Sequence, residues 1–245
     1  MILKKKRTLK KRGRKKNMIT KLHTIYRNKN GQPLPSVTEI QANLGWKTEN
    51  LLRWAVFCCK RNVQDPFEVR NDSSKKGTLI HFYIQAFLEN YNTKQIEEYE
   101  SNYDLLQISF AKKAFDEFKS WYNQVKPKHL QSEIQVIDEE YGYGGTADWP
   151  VIINEKRTLA DFKTGKHIYA ESFFQLVAYF KTINKTIYKD DPLTDIMILH
   201  IRPEQLAREY WLPRNLINPF YDGFLALKKL EDLKATINKQ GGLIT

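Results

Sequence analysis

Cysteine is scarce in this chain of 245 residues: there are two, Cys58 and Cys59, and they are adjacent. That spacing suits neither an ordinary disulfide nor a cysteine-rich metal site, so a disulfide scaffold is excluded and a reducing compartment is expected. Long apolar runs are missing as well. No stretch approaches the ~20 consecutive apolar residues that a membrane-spanning helix needs, so no membrane partner is expected. The opening segment MILKKKRTLKKRGRKK lacks the apolar centre of a secretory leader; a cytoplasmic location, or the host cytoplasm for a viral chain, is the expectation. No internal repeat is visible. There is no Gly-x-x-x-x-Gly-Lys-Ser/Thr loop of the kind that drives a nucleotide-powered motor, so any unwinding of nucleic acid must come from a partner.

Acid is missing from one end only. Residues 1–38 hold 13 Lys and Arg and no Asp or Glu, which leaves 27 of the 40 basic residues against all 28 acidic ones. The formal net charge of +12 therefore belongs to that end, and the rest of the chain is close to neutral. Dense like charge repels and cannot pack, so residues 1–33 read as a basic, flexible arm, running to about Lys16, and a link. Such an arm attracts phosphate backbones without reading sequence. A solubility tail is the plainer alternative.

What remains is globular in composition, with 41% hydrophobic and 13% aromatic residues, enough for one domain over 34–245. Its parts are a helical N-terminal part at 34–130, a core at 131–212 and a C-terminal helix at 215–240. Gly31, Pro33 and Pro35 mark a turn, and Ser36-Val-Thr-Glu39 has the form of a capping box that opens a helix. Asp65 to Ser74 reads as a loop, followed by a helix opening at Gly77 with Leu79, Ile80, Tyr83, Ile84, Phe87 and Leu88 at helical spacing. A second helix runs over about 104–125 until Pro127 stops it. The period then changes. Gln131–Ile137, Thr146–Ile153 and Arg157–Lys163 read as three strands joined by tight connections, an antiparallel meander. A helix over Ala170–Asn184, a strand over Thr194–Ile201, another over Gln205–Leu212 and a closing helix over Asn218–Lys239 follow. The fold class is α/β.

Two segments carry chemistry: Gly145-Thr-Ala-Asp148 and Asp161-Phe-Lys-Thr164. On a strand, 159, 161 and 163 share one face, so two charges interrupt the row that Leu159 begins. Buried charge is costly unless paired or metal-bound. Asp148, on the neighbouring arm of the hairpin, can approach Asp161, and a divalent cation relieves the repulsion of two close carboxylates. Taken alone, the Asp161–Lys163 pair reads as a surface ion pair.

Asp148 followed by Asp161-x-Lys163 resembles the signature of the PD-(D/E)XK nuclease superfamily. Gln175 and Tyr179 on the next helix look like the Gln-x-x-x-Tyr motif of its RecB-like exonuclease branch. Gly77-Thr-Leu-Ile-His81 looks like that branch's helix-borne histidine motif. Leu34-Pro-Ser-Val-Thr38 with Trp54 resembles the leading segment of small RecB-like exonucleases from phages and mitochondria. The resemblance spans roughly 34–212 and implies a restriction-endonuclease-like core: a three-stranded antiparallel meander, a helix and a further strand, with the helical N-terminal part before it. Two departures stand out. Some relatives bind an iron–sulfur cluster through four cysteines, which Cys58 and Cys59 cannot supply, so no cluster is expected. Trp149 follows Asp148 where a smaller apolar residue is expected; it could pack over the site or contact a base.

By this resemblance, Asp148, Asp161 and the Phe162 backbone carbonyl hold Mg²⁺ or Mn²⁺, with His81 as a nitrogen ligand that favours Mn²⁺. Lys163 orients the attacking water, and Gln175 and Tyr179, on one helix face, hold Lys163 or a DNA phosphate. Glu133 lies where relatives often carry an acid; an exposed strand residue is the alternative. A core histidine is the alternative for His81, and helix packing that for Tyr179. His23, His129, His167 and His200 match no motif. Tyr141, Tyr143 and Trp149 suit stacking on single-stranded bases, or plain hairpin packing. The implied activity is a divalent-metal-dependent deoxyribonuclease, an exonuclease preferring single-stranded DNA ends, with a helicase or another replication, recombination or repair protein as partner. The alternatives are a structure-specific flap or junction endonuclease and a catalytically silent DNA-binding protein.

Overall fold

The computed structural model describes residues 24–46, 48–61 and 65–239. Most of the expected basic arm, residues 1–23, lies outside the described residues. The fold is mixed α/β: seven helices and a mixed five-stranded sheet are formed by the described residues. Among them no helix is long and apolar enough to cross a membrane.

The described part of the link forms a small hairpin, β1 (Tyr26–Arg27) with β2 (Pro33–Leu34). Helix α1 (Val37–Ala42) follows and carries the expected capping box, with Ser36 and Glu39 capping each other's backbone. Helix α2 spans Thr48–Lys60. Helix α3 (Pro66–Leu88) absorbs the segment expected as a loop. Asp65 accepts the Phe67 N–H as N-cap and Pro66 occupies the first turn, where its missing N–H costs nothing. Gly77 thus sits inside this helix and does not open it. A short helix, α4 (Thr93–Glu100), precedes α5 (Leu105–Val125), which ends at Lys126 in a left-handed cap just before Pro127.

The meander is present but bent. Strand β4 (Ile134–Asp138) pairs antiparallel with β5 (Tyr143–Ala147), and after a break at Asp148 the chain continues as β6 (Trp149–Ile153), which pairs antiparallel with β7 (Lys156–Lys163). The expected middle strand therefore serves two sheets, β5 in a two-stranded one and β6 in the five-stranded one. Helix α6 (Glu171–Thr186) crosses over to β8 (Asp195–Arg202), which runs parallel to β7, and β9 (Gln205–Trp211) returns antiparallel to β8. A two-residue strand, β3 (Lys128–His129), borders β6, giving the order β3-β6-β7-β8-β9. Helix α7 (Arg214–Lys239) closes the fold; it starts before Pro219, which lies inside it.

The five-stranded sheet has a core on each face. On one, α1, α6, α7 and the β4–β5 hairpin cover Leu159, Ile196 and Ile198 with a mainly aliphatic cluster that includes Leu176, Val177 and Ile183. On the other, α3 and α5 cover Val151, Ala160, Phe162, Met197 and Leu199 with an aromatic cluster that includes Phe82, Phe118, Trp121 and Trp149.

Candidate active site

Strand β7 sets the first half of the site. Alternation puts Leu159, Asp161 and Lys163 on one face. Leu159 is fully buried in the aliphatic core, and Asp161, at 2% exposure, is nearly as deep. A carboxylate at that depth needs a partner, and Lys163 supplies one: its Nζ lies 2.5 Å from Asp161 Oδ2. The same ammonium donates to Gln175 Oε1 at 3.4 Å, and Gln175 Nε2 donates to the Tyr179 hydroxyl at 3.1 Å. Gln175 and Tyr179 are one helical turn apart on α6, so both face the sheet at this point. The Tyr179 ring rests on Gly145: a Cβ at position 145 would lie 2.2 Å from Tyr179 Cε1, so only glycine fits. Asp161, Lys163, Gln175 and Tyr179 thus form a continuous polar chain from strand to helix.

The break between β5 and β6 sets the second half. Trp149 is the last β6 residue in register with β7, opposite Ala160. Beyond it the backbone turns away, which would strand the Phe162 N–H, but Asp148 Oδ2 accepts it at 2.9 Å. Asp148 is therefore fixed to the residue next to Asp161. Its carbonyl in turn accepts the Glu133 N–H at 2.9 Å. Glu133 lies just ahead of β4, with a left-handed φ of 50° that costs a non-glycine residue about 1 kcal/mol. His81 reaches the same point from α3, its Nδ1 3.5 Å from Asp148 Oδ2 and its ring edge-on to Phe162. One turn earlier, Gly77 brings α3 against the end of β7, where a Cβ would meet Thr164 Oγ1 at 3.0 Å.

One nitrogen and two carboxylates therefore converge: ligand atoms of His81, Glu133 and Asp148 lie within 4.8 Å of one another, a set that could hold a divalent cation. Asp161 stands outside this set, ion-paired to Lys163. The Glu133 carboxylate also reaches beyond it. Burial pushes the Tyr91 and Tyr99 phenols up, and the Glu133 charge adds to the rise of both.

Trp149 is fully buried and Tyr143 likewise, so neither is available to stack on bases; Tyr141 is exposed. The Trp149 indole N–H donates to His129 Nδ1 at 3.0 Å, and His129 Nε2 lies 3.5 Å from Glu89 Oε1, which also accepts from Ser132 Oγ at 2.6 Å. This Glu89–His129–Ser132 group borders Glu133, and sequence reasoning missed it because its members match no spacing rule. Tyr143 is held inside the aliphatic core, its hydroxyl 2.9 Å from Thr182 Oγ1.

No protein-family model and no curated protein matches the chain. Among solved structures, it is similar to a candidate exonuclease from Eubacterium rectale, with 12% identity, a TM-score of 0.48 and 69% of each chain covered. It is also similar to the protein SSO0001, with 15% identity, a TM-score of 0.28, and 58% of this chain and 71% of the other covered.

Proposed function

We propose that this protein is a divalent-metal-dependent deoxyribonuclease of the RecB-like PD-(D/E)XK type, an exonuclease acting on single-stranded DNA ends. In this reading residues 34–245 form one nuclease domain with a restriction-endonuclease-like core, and residues 1–33 are a basic arm, to about Lys16, and a link that from Tyr26 on forms the β1–β2 hairpin. The observation that carries it is the convergence of His81, Glu133 and Asp148 within 4.8 Å, beside the Asp161–Lys163 pair. An imidazole and carboxylates from distant parts of the chain, with Glu133 and Asp148 tied by a backbone hydrogen bond, are a poor device for packing and a good one for a cation.

His81, Glu133 and Asp148 would hold Mg²⁺ or Mn²⁺, with Asp161 and the Phe162 carbonyl completing the set. A strand residue directs its N–H and C=O to the same neighbour, so the Phe162 carbonyl opens on the side where Asp148 accepts its N–H. The bound cation supplies an acidified water and charge neutralisation at the phosphate. Lys163 keeps a fixed positive charge beside the attacking oxygen and the developing anion. Gln175 orients Lys163, and Tyr179 orients Gln175. Asp161 holds the ammonium in place.

Linear and covalently closed circular single-stranded DNA, each incubated with Mn²⁺, test the reading. The linear strand should be degraded and the circle spared. Rapid cutting of the circle would replace the exonuclease with an endonuclease, and survival of both would reject hydrolysis of single-stranded DNA.

A further inference from the structure

A cavity of about 440 Å³ opens on the same sheet, past the end of β7. Lys166, His167, His200, Arg202 and Arg208 line it with Tyr210, and none of its described lining residues is acidic. The nearby acids are turned elsewhere. Glu204 is paired with Lys113, and Glu209, on the opposite face of β9, accepts the indole N–H groups of Trp121 and Trp211. His200 Nε2 lies 2.7 Å from the Gly165 carbonyl and so ties the loop after β7, which carries Lys166, to the rim of the cavity.

Register ties this cavity to the candidate active site. The β7–β8 pairing sets Lys163 opposite His200, and the β8–β9 pairing sets His200 opposite Arg208. Paired residues share a face, so Lys163, His200 and Arg208 form one basic row across three strands, with Asp161, Ile198 and Tyr210 as the adjoining row. At about 4.8 Å per strand, Arg208 stands roughly 10 Å from Lys163. That is about three nucleotides at the ~3.4 Å rise of stacked DNA.

We infer that this cavity holds the phosphodiester backbone of a single nucleic-acid strand next to the point of reaction. It rests on the proposed nuclease reading only for the fate of that strand. The guanidinium forks of Arg202 and Arg208 match phosphate oxygens in pairs. Lys166 closes the rim, and Tyr210, its ring 6.2 Å from that of His200, offers a flat wall to one base. The volume suits one nucleotide unit, not a duplex.

The test is binding of a fluorescent oligothymidine to the full chain in metal-free buffer, where no cleavage intervenes, followed over a salt series. Arg202→Ala/Arg208→Ala should weaken binding roughly tenfold and flatten the log–log salt slope by about 1.4, two contacts at about 0.7 each. Lys234→Ala, an exposed cation on α7, serves as the charge control and should change neither. Photocrosslinking of a bromouracil-substituted oligonucleotide should label Tyr210. Unchanged affinity and slope in the double variant, or crosslinks confined to other segments, would overturn the inference. Displacement by inorganic phosphate at matching concentration would assign the cavity to the free anion and overturn the strand assignment. If wild-type protein cleaves normally while the double variant binds normally, the groove fails and the nuclease reading stands. If wild-type protein never cleaves yet binding depends on the two arginines, the nuclease reading fails and the groove stands.

Discussion

On one face of β7, Ala160 and Phe162 enter an aromatic cluster in which Phe162 meets Trp149 at 5.5 Å and Phe118 at 5.8 Å between ring centroids. On the other face, Leu159 gives way within four residues to Asp161 and Lys163. The aromatic cluster continues past both Ala160 and Phe162 to Met197 and Leu199; on the other side the aliphatic cluster gives way at Asp161 to the polar chain that Gln175 and Tyr179 of α6 complete. The contrast shows how a strand can carry buried charge at all. Packing on one face fixes the backbone, so the charges on the other need only one another and two side chains from α6 to hold their geometry.

The contrast can be broken from either side. Trp149→Ala removes a fully buried ring from the aromatic face and should lower the unfolding free energy by about 3–5 kcal/mol in urea titration. A loss under about 1 kcal/mol would show that this face is not the support. Lys163→Ala works on the other face: cleavage should fall roughly 10²–10³-fold, and because the buried Asp161 carboxylate loses its partner, the unfolding free energy should also fall, by up to about 3 kcal/mol. Full activity in this variant would remove the ammonium from the mechanism. Gly145→Ala is the mildest and crosses between the two effects. Its methyl group must displace the Tyr179 ring, costing about 1–3 kcal/mol by overpacking. It should also slow cleavage by loosening Gln175 and Lys163; an equal loss in Tyr179→Ala/Gly145→Ala and Tyr179→Ala alone would confirm that the ring carries the effect, and a further additive loss would deny it.

The parts legible in the sequence are those written in local spacing. The capping box at Ser36, the β7 row of Leu159, Asp161 and Lys163, and the one-turn separation of Gln175 and Tyr179 all depend on residues within a few positions of one another. The parts that were not legible depend on distance or on backbone shape. The polar run from Asp65 to Ser74 has no apolar period and reads as a loop, although Asp65-Pro66 is a sound helix start, and the cap at Asp65 opens one continuous helix into the buried turns from Leu79 to Leu88. Alternation shows that Thr146–Ile153 is extended, but it cannot show that the strand changes sheets at Asp148. Glu133, expected in a strand, sits in a left-handed turn ahead of it, and its approach to His81 joins segments far apart in the chain. For Tyr143 and Trp149 the sequence leaves base stacking and plain hairpin packing equally open, because aromatic character alone does not say which way a strand residue points; burial decides for packing.

The contact of Gly77 with Thr164 has a mechanical consequence. A helix is a stiff rod with a rise of 1.5 Å per residue, so His81 rides about 6 Å further along the same rod. Whatever holds α3 away from β7 at position 77 holds His81 away from Asp148 by a similar amount. The hydrogen that stands where other residues carry a Cβ is therefore a spacer gauge: it sets how deep the imidazole is seated, from a position one helical turn away from His81.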